Sequence, residues 1–177
     1  AVDIRAIQYA CAVVALELMK EITIFEVENR HKNEFLEDLL SSDAKIRSSC
    51  MEKAEIFGLG SCYKYEVFLL YIDELEKKFS DNPGENGSKS KTRLMKIIEN
   101  AVNLKGTKIL TGSKGNNITI LMSFSKNGQD ECHKSSGLNI AKRIADAITD
   151  AYDIVPKIGI GRCCMKIDDL WQSMEEA

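Results

Sequence analysis

The first forty residues contain no glycine and no proline, so nothing in them interrupts a helix. Apolar residues recur at Ile4, Ile7, Cys11, Val14, Leu18, Ile22, Phe25, Leu36 and Leu39. Steps of three and four predict a single helical stripe with a four-residue stutter near Leu18, Asn29 and Lys32 filling the seam positions in between. Carried to residue 41, such a helix spans about 57 Å at about 1.5 Å per residue. One small domain cannot hide a stripe that long, which predicts a second copy of the chain as partner, with Ile4, Ile7, Cys11, Val14, Leu18, Ile22 and Phe25 as the dimer seam. The alternative is two shorter helices bent near Glu28 to Arg30 and packed on their own domain.

The remaining residues suffice for one domain, 42–177, within a chain of 177 residues. A net charge of −3 excludes a strongly basic nucleic-acid footprint. No apolar run reaches the roughly 18 residues of a membrane span. Residues 1–20 lack a basic leader and carry Asp3 and Glu17, so they do not read as a signal peptide. Six scattered cysteines read as free thiols in a reducing compartment, the cytoplasm. The chain starts at Ala and stops at Ala177, which predicts a fragment of a longer protein.

Ser41, Ser42 and Asp43 can cap a second helix with Ile46, Cys50, Ala54 and Phe57 as its buried stripe, ended by Gly58. Tyr63 to Ile72 starts with alternation and ends as an apolar run, a strand buried on both faces. Residues 79–91, with Pro83, Gly84 and Gly87, read as a mobile surface loop. Thr92 then caps a helix bearing Leu94, Ile97, Ile98, Ala101 and Leu104, stopped at Gly106. Thr107–Ser113 and Asn117–Ser125 read as strands joined through Lys114-Gly115-Asn116, a hairpin. After a polar stretch, 126–137, come a helix with Leu138, Ala141, Ile144, Ala145, Ile148 and Tyr152, a strand from Val155 to Ile160, and a helix capped by Asp168 with Leu170, Trp171, Met174 and Ala177 on one side. From Tyr63 on, the first six elements form the β-α-β-β-α-β order of an α+β, ferredoxin-like palm fold with both crossover helices on one face.

Several short segments are similar to those of a known family. Glu28-Asn29-Arg30 with Phe35-Leu36-Glu37-Asp38-Leu39-Leu40, Ala54-Glu55-Ile56-Phe57-Gly58-Leu59, and Gly159-Ile160-Gly161-Arg162 followed by Ser173 and Glu176-Ala177 resemble, in order and spacing, the PucR/CdaR family of bacterial transcription regulators. The resemblance implies the GGDEF-like central domain of such a regulator, truncated before its last strand. Residues 1–41 would then be the linker and dimerisation helix leaving a sensory region. DNA would be contacted by a helix-turn-helix domain outside this chain, and the inducer is not specified.

Chemistry-bearing residues are few. A palm-type nucleotide cyclase needs Mg²⁺ held by carboxylates at the end of strand one and in the central hairpin. Asp73, with Glu74 and Glu76 behind it, stands at the first position, but Thr111 to Thr119 contains no acid. The expectation is therefore no catalytic residue, no metal and no cofactor. A ligand or redox sensor is a further reading. Cys163-Cys164 lies beside Arg162, whose charge would lower a thiol pKa, and adjacent residues of an extended chain cannot easily bridge to each other. Cys132-His133 offers two ligands, too few for zinc. Gly159 and Gly161 lack the third glycine of a dinucleotide loop and predict a bulge or a close backbone approach.

Overall fold

The structure, a computed structural model, describes residues 4–60, 62–72, 87–103, 107–125 and 134–177. The first helix, α1, runs unbroken over Ile4–Leu39, 36 residues, so the bend near Glu28 to Arg30 does not occur. A short turn leads into α2, Ala44–Ile56, whose N-cap is Asp43: its carboxylate accepts from the Lys45 N–H at 2.8 Å. The helix closes as expected at Gly58, where φ is +71° and the Leu59 N–H reaches back to the Ala54 carbonyl at 2.8 Å. Cys50 and Ala54 are buried as expected, whereas Ile46 is exposed.

The sheet comprises β1 (Cys62–Tyr71), β2 (Thr107–Lys114), β3 (Asn117–Ser125) and β4 (Lys157–Ile160). Their order is β2-β3-β1-β4, antiparallel throughout. β1 leads to β2 through α3 (Gly87–Val102), and β3 to β4 through α4 (Lys134–Tyr152). This is the α+β palm arrangement. Lys114 pairs with Asn117, leaving a tight two-residue turn in which Gly115 takes φ +60°. A 3₁₀ turn at Ile167–Asp169 precedes the final helix, α5 (Leu170–Glu176).

Alternation along β1 divides two cores. Phe68, Leu70 and Ile72 face α3 and α4, meeting Leu94, Ile98, Ile144 and Ile148 with Ile118, Ile120 and Met122 of β3. Tyr65 and Val67 point the other way, where Phe35, Leu36 and Leu39 of α1 join Cys50, Ala54, Leu59, Leu110, Leu121 and Leu170. Phe35 stacks on Phe57 with ring centroids 4.3 Å apart. Both crossover helices thus share one face, as expected, and the other is covered by the end of α1 with α2 and α5. The last two turns of α1 belong to the domain core, Phe25 and Asn29 before them are half-buried, and the turns up to Ile24 stand clear.

Several local expectations are corrected. α3 starts at Gly87, inside the expected loop, so Thr92 lies within the helix rather than capping it; the rest of that loop, with Leu104 and Gly106, falls outside the described residues. α4 buries Ile140 instead of Leu138, which is 63% exposed, because the helix starts earlier and its inward face is rotated. β4 is shorter than expected, and Val155 is exposed. Asp168 lies in the 3₁₀ turn, and the α5 N-cap is Asp169, without a side-chain capping bond. Trp171 is half-buried, its ring 5.2 Å below the Arg47 guanidinium carbon.

Gly159 and Gly161 make the close approach that their spacing suggested. A Cβ on Gly161 would overlap the Ser173 carbonyl, and one on Gly159 the Ala177 carbonyl, so α5 rests directly on the β4 backbone. Gly161→Ala should therefore lower stability by about 1–3 kcal/mol, the usual cost of overpacking. A urea midpoint equal to wild type would show that α5 does not seat there.

Candidate functional site at the hairpin end of the sheet

The end of β1 and the β2–β3 turn meet. The Ile72 N–H donates to the Asn116 carbonyl at 3.3 Å, and Lys91 of α3 donates to the Gly115 carbonyl at 3.1 Å. The Asn116 amide oxygen is buried with no hydrogen-bond partner. This juncture is where a palm-type cyclase gathers carboxylates, but the hairpin brings amide, hydroxyl and ammonium groups. A Mg²⁺ ion needs hard anionic oxygens, so the hairpin residues do not fit one. Among the described residues no group of three or more His, Cys, Asp or Glu converges on a metal position. Asp73, Glu74, Glu76, Cys132 and His133 lie outside the described residues.

On the opposite face, the hairpin, the end of α1 and α5 enclose a groove of about 410 Å³, a size suited to a small molecule. Its apolar walls include Leu36, Leu40, Leu69 and Met174. Lys114 and Glu37 form an exposed ion pair at its rim, 3.3 Å apart. The Ser113 N–H donates to the Asn33 amide oxygen at 3.1 Å, tying α1 to β2. Gly112 permits that approach: a Cβ there would stand 2.8 Å from Leu36 Cδ1 and 2.9 Å from Asn33 Oδ1. Sequence reading missed this groove, because Asn33, Leu69 and Ser113 share no motif and are brought together only by the tertiary fold.

Glu66 was also missed. It sits in mid-strand, only 6% exposed, opposite Met122. Its carboxyl faces Gly137 in the first turn of α4, where a Cβ would stand 2.6 Å from Oε1. Burial pushes its pKa from 4.5 to about 7. The available signal was an acid interrupting an otherwise apolar strand.

The expected redox pair separates. Cys164 is buried, its thiol directed at the Arg162 and Asp169 carbonyls. Burial raises its pKa and outweighs the lowering by Arg162, so the thiol is not activated. Cys163 is disulfide-bonded, which corrects the reading of six free thiols; Cys11, Cys50 and Cys164 are free. Of the expected seam residues, Ile4, Ile7, Cys11, Val14, Leu18 and Ile22 are exposed. Phe25 is half-buried, with the Lys96 ammonium 5.2 Å above its ring. No helix among the described residues is long and apolar enough to cross a membrane.

Residues 8–177 match the family model described as GGDEF-like domain. No curated protein matches the chain. Among solved structures, an EAL/GGDEF domain protein from M. capsulatus is similar at 17% identity and TM-score 0.42, covering 63% of this chain and 74% of that one. The diguanylate cyclase SiaD from Pseudomonas aeruginosa, solved in complex with its activator SiaC, is similar at 11% identity and TM-score 0.42, covering 97% of this chain and 70% of that one.

Glu66 gives the fold a pH dependence of definite sign. Its pKa is raised on folding, so the native state holds the extra proton between the unfolded and folded values. Stability is full below about pH 4.5 and falls as pH rises through about 7, by at most about 3 kcal/mol. Glu66→Gln should flatten this slope in urea denaturation at about pH 5, just inside the lower end of the steep region, and at about pH 8, about one unit above its upper end. An unchanged slope would locate the titrating group elsewhere.

Proposed function

The chain belongs to the GGDEF-like domain family, and on that premise we propose that it is a non-catalytic dimerisation and signal-relay module of a PucR/CdaR-type bacterial transcription regulator. The observation that carries this reading is the two-part character of α1. Phe35, Leu36 and Leu39 fix one end in the domain core, while the apolar residues from Ile4 to Ile22 stay exposed. A rigid helix anchored at one end and apolar at the other suits it to pairing with a copy and passing a change in that pairing to the domain. The hairpin without carboxylates supports a role without catalysis. On this reading DNA is contacted by a domain outside this chain. The cytoplasmic location that goes with it makes the Cys163 disulfide transient.

The groove beneath the end of α1 favours a second reading, a small-molecule sensor domain, since a ligand there would touch the anchor of the helix directly. Sedimentation equilibrium separates assembly from folding if the truncation stops short of the anchor. A chain lacking residues 1–27 should be a folded monomer where the full chain is a dimer. A monomer in both cases would sink the relay reading and bring the sensor reading forward. Incubation with GTP and Mg²⁺ should yield no cyclic dinucleotide; turnover would overturn the non-catalytic assignment.

A further inference from the structure

α1 carries a second apolar row, about 200° round the helix from the first, since the two are offset by two residues. Tyr9, Val13, Leu16 and Val27 are 75%, 66%, 67% and 44% exposed. With Ala6, Val13, Lys20 and Val27 at the a positions, and Tyr9, Leu16 and Thr23 at d, the row fits a seven-residue repeat in which Lys20 and Thr23 are the polar members. The first row holds the same repeat, with Ile4, Cys11, Leu18 and Phe25 seven residues apart and Ile7 and Val14 between them, so spacing alone does not choose between the rows.

The domain itself discriminates between the rows. Followed towards Leu39, the first row becomes the face by which α1 packs on its own sheet: Phe25 lies under Lys96, and Leu36 and Leu39 are buried. Paired helices run about 8–10 Å apart, which leaves no room for two domains between them from Phe25 onward. The second row points elsewhere, and at its next positions, Arg30 and Glu34, it turns polar and exposed.

We propose that a second copy of this chain docks in parallel along Ala6–Val27 through this second row, with the two domains held outside the pair. The proposal rests on the relay reading and specifies the face it uses. Valine at a with leucine at d favours two parallel strands, and a lone lysine at a fixes register at a cost in stability. Lys20 has Glu17 3.4 Å away on its own helix. The Thr23 hydroxyl is satisfied by the Met19 carbonyl at 2.8 Å, so it enters the seam without an orphaned donor. The row's large side chains would bury at most about 1,000 Å² over both copies, the lower limit for a specific interface.

Sedimentation equilibrium of the full chain and three single variants tests this. Leu16→Asp should weaken the dimer by about 100-fold or more, and Leu18→Asp, on the first row, should change it by less than about threefold. Lys20→Ile, which removes the polar a position, should tighten it by about tenfold or more. This gain cannot come from misfolding. Loss of the dimer with Leu18→Asp but not with Leu16→Asp, or no tightening with Lys20→Ile, would overturn the face assignment and leave the relay reading standing. A monomeric wild-type chain would overturn both.

Discussion

Phe35, Leu36 and Leu39 of α1 pack against the sheet face formed by Tyr65, Val67, Leu110 and Leu121, and much else depends on that contact. It turns the end of a long helix into a structural member of the domain and gives the sheet its second covered face. The approach is close because Gly112 has no side chain where Leu36 and Asn33 lie. Without it, α2 and α5 would leave apolar strand surface open, and α1 would be joined to the palm only by a short turn. The groove beside Leu36 and Leu40 is a by-product of the same contact.

Legibility in the sequence followed periodicity. α1, the hairpin and the β-α-β-β-α-β order could all be read because each repeats a simple spacing or carries a turn residue in the right place. Boundaries failed where polar residues continue a helix. Gly87 to Lys91 read as loop on composition, yet α3 already runs through them. Leu138 was expected inside because it falls in step with Ala141 and Ile148, but Ile140 fits the face presented to the sheet. Ile46 failed likewise: α2 shields only a narrow strip, and its second row stays in solvent. The functional features were the least legible. Glu66 is perturbed by what surrounds it, and the groove joins residues from Asn33 to Met174, which only the tertiary fold brings together.

The hairpin end brings the end of a central strand against a tight turn. The end of β1 hydrogen-bonds to the turn, and the turn itself contributes an amide and a lysine, groups that do not hold a hard metal cation. The polar groups on the opposite face are better organised, with an ion pair at the rim and an amide tie between helix and strand.

The straightness of α1 has a mechanical consequence. The exposed part from Ile4 to Ile24 extends about 30 Å beyond its anchored turns. Such a rigid arm is a lever: a tilt of about 5° at the fulcrum near Asn33, about 44 Å from Ile4, swings the far tip by about 4 Å, roughly three quarters of a helical turn. In reverse, a sideways shift of that size at the tip arrives at Leu36 as a rotation of a few degrees with almost no translation. Close-packed side chains resist small rotations unless they jump to another rotamer. The joint would then pass large displacements and filter out small ones, acting as a threshold.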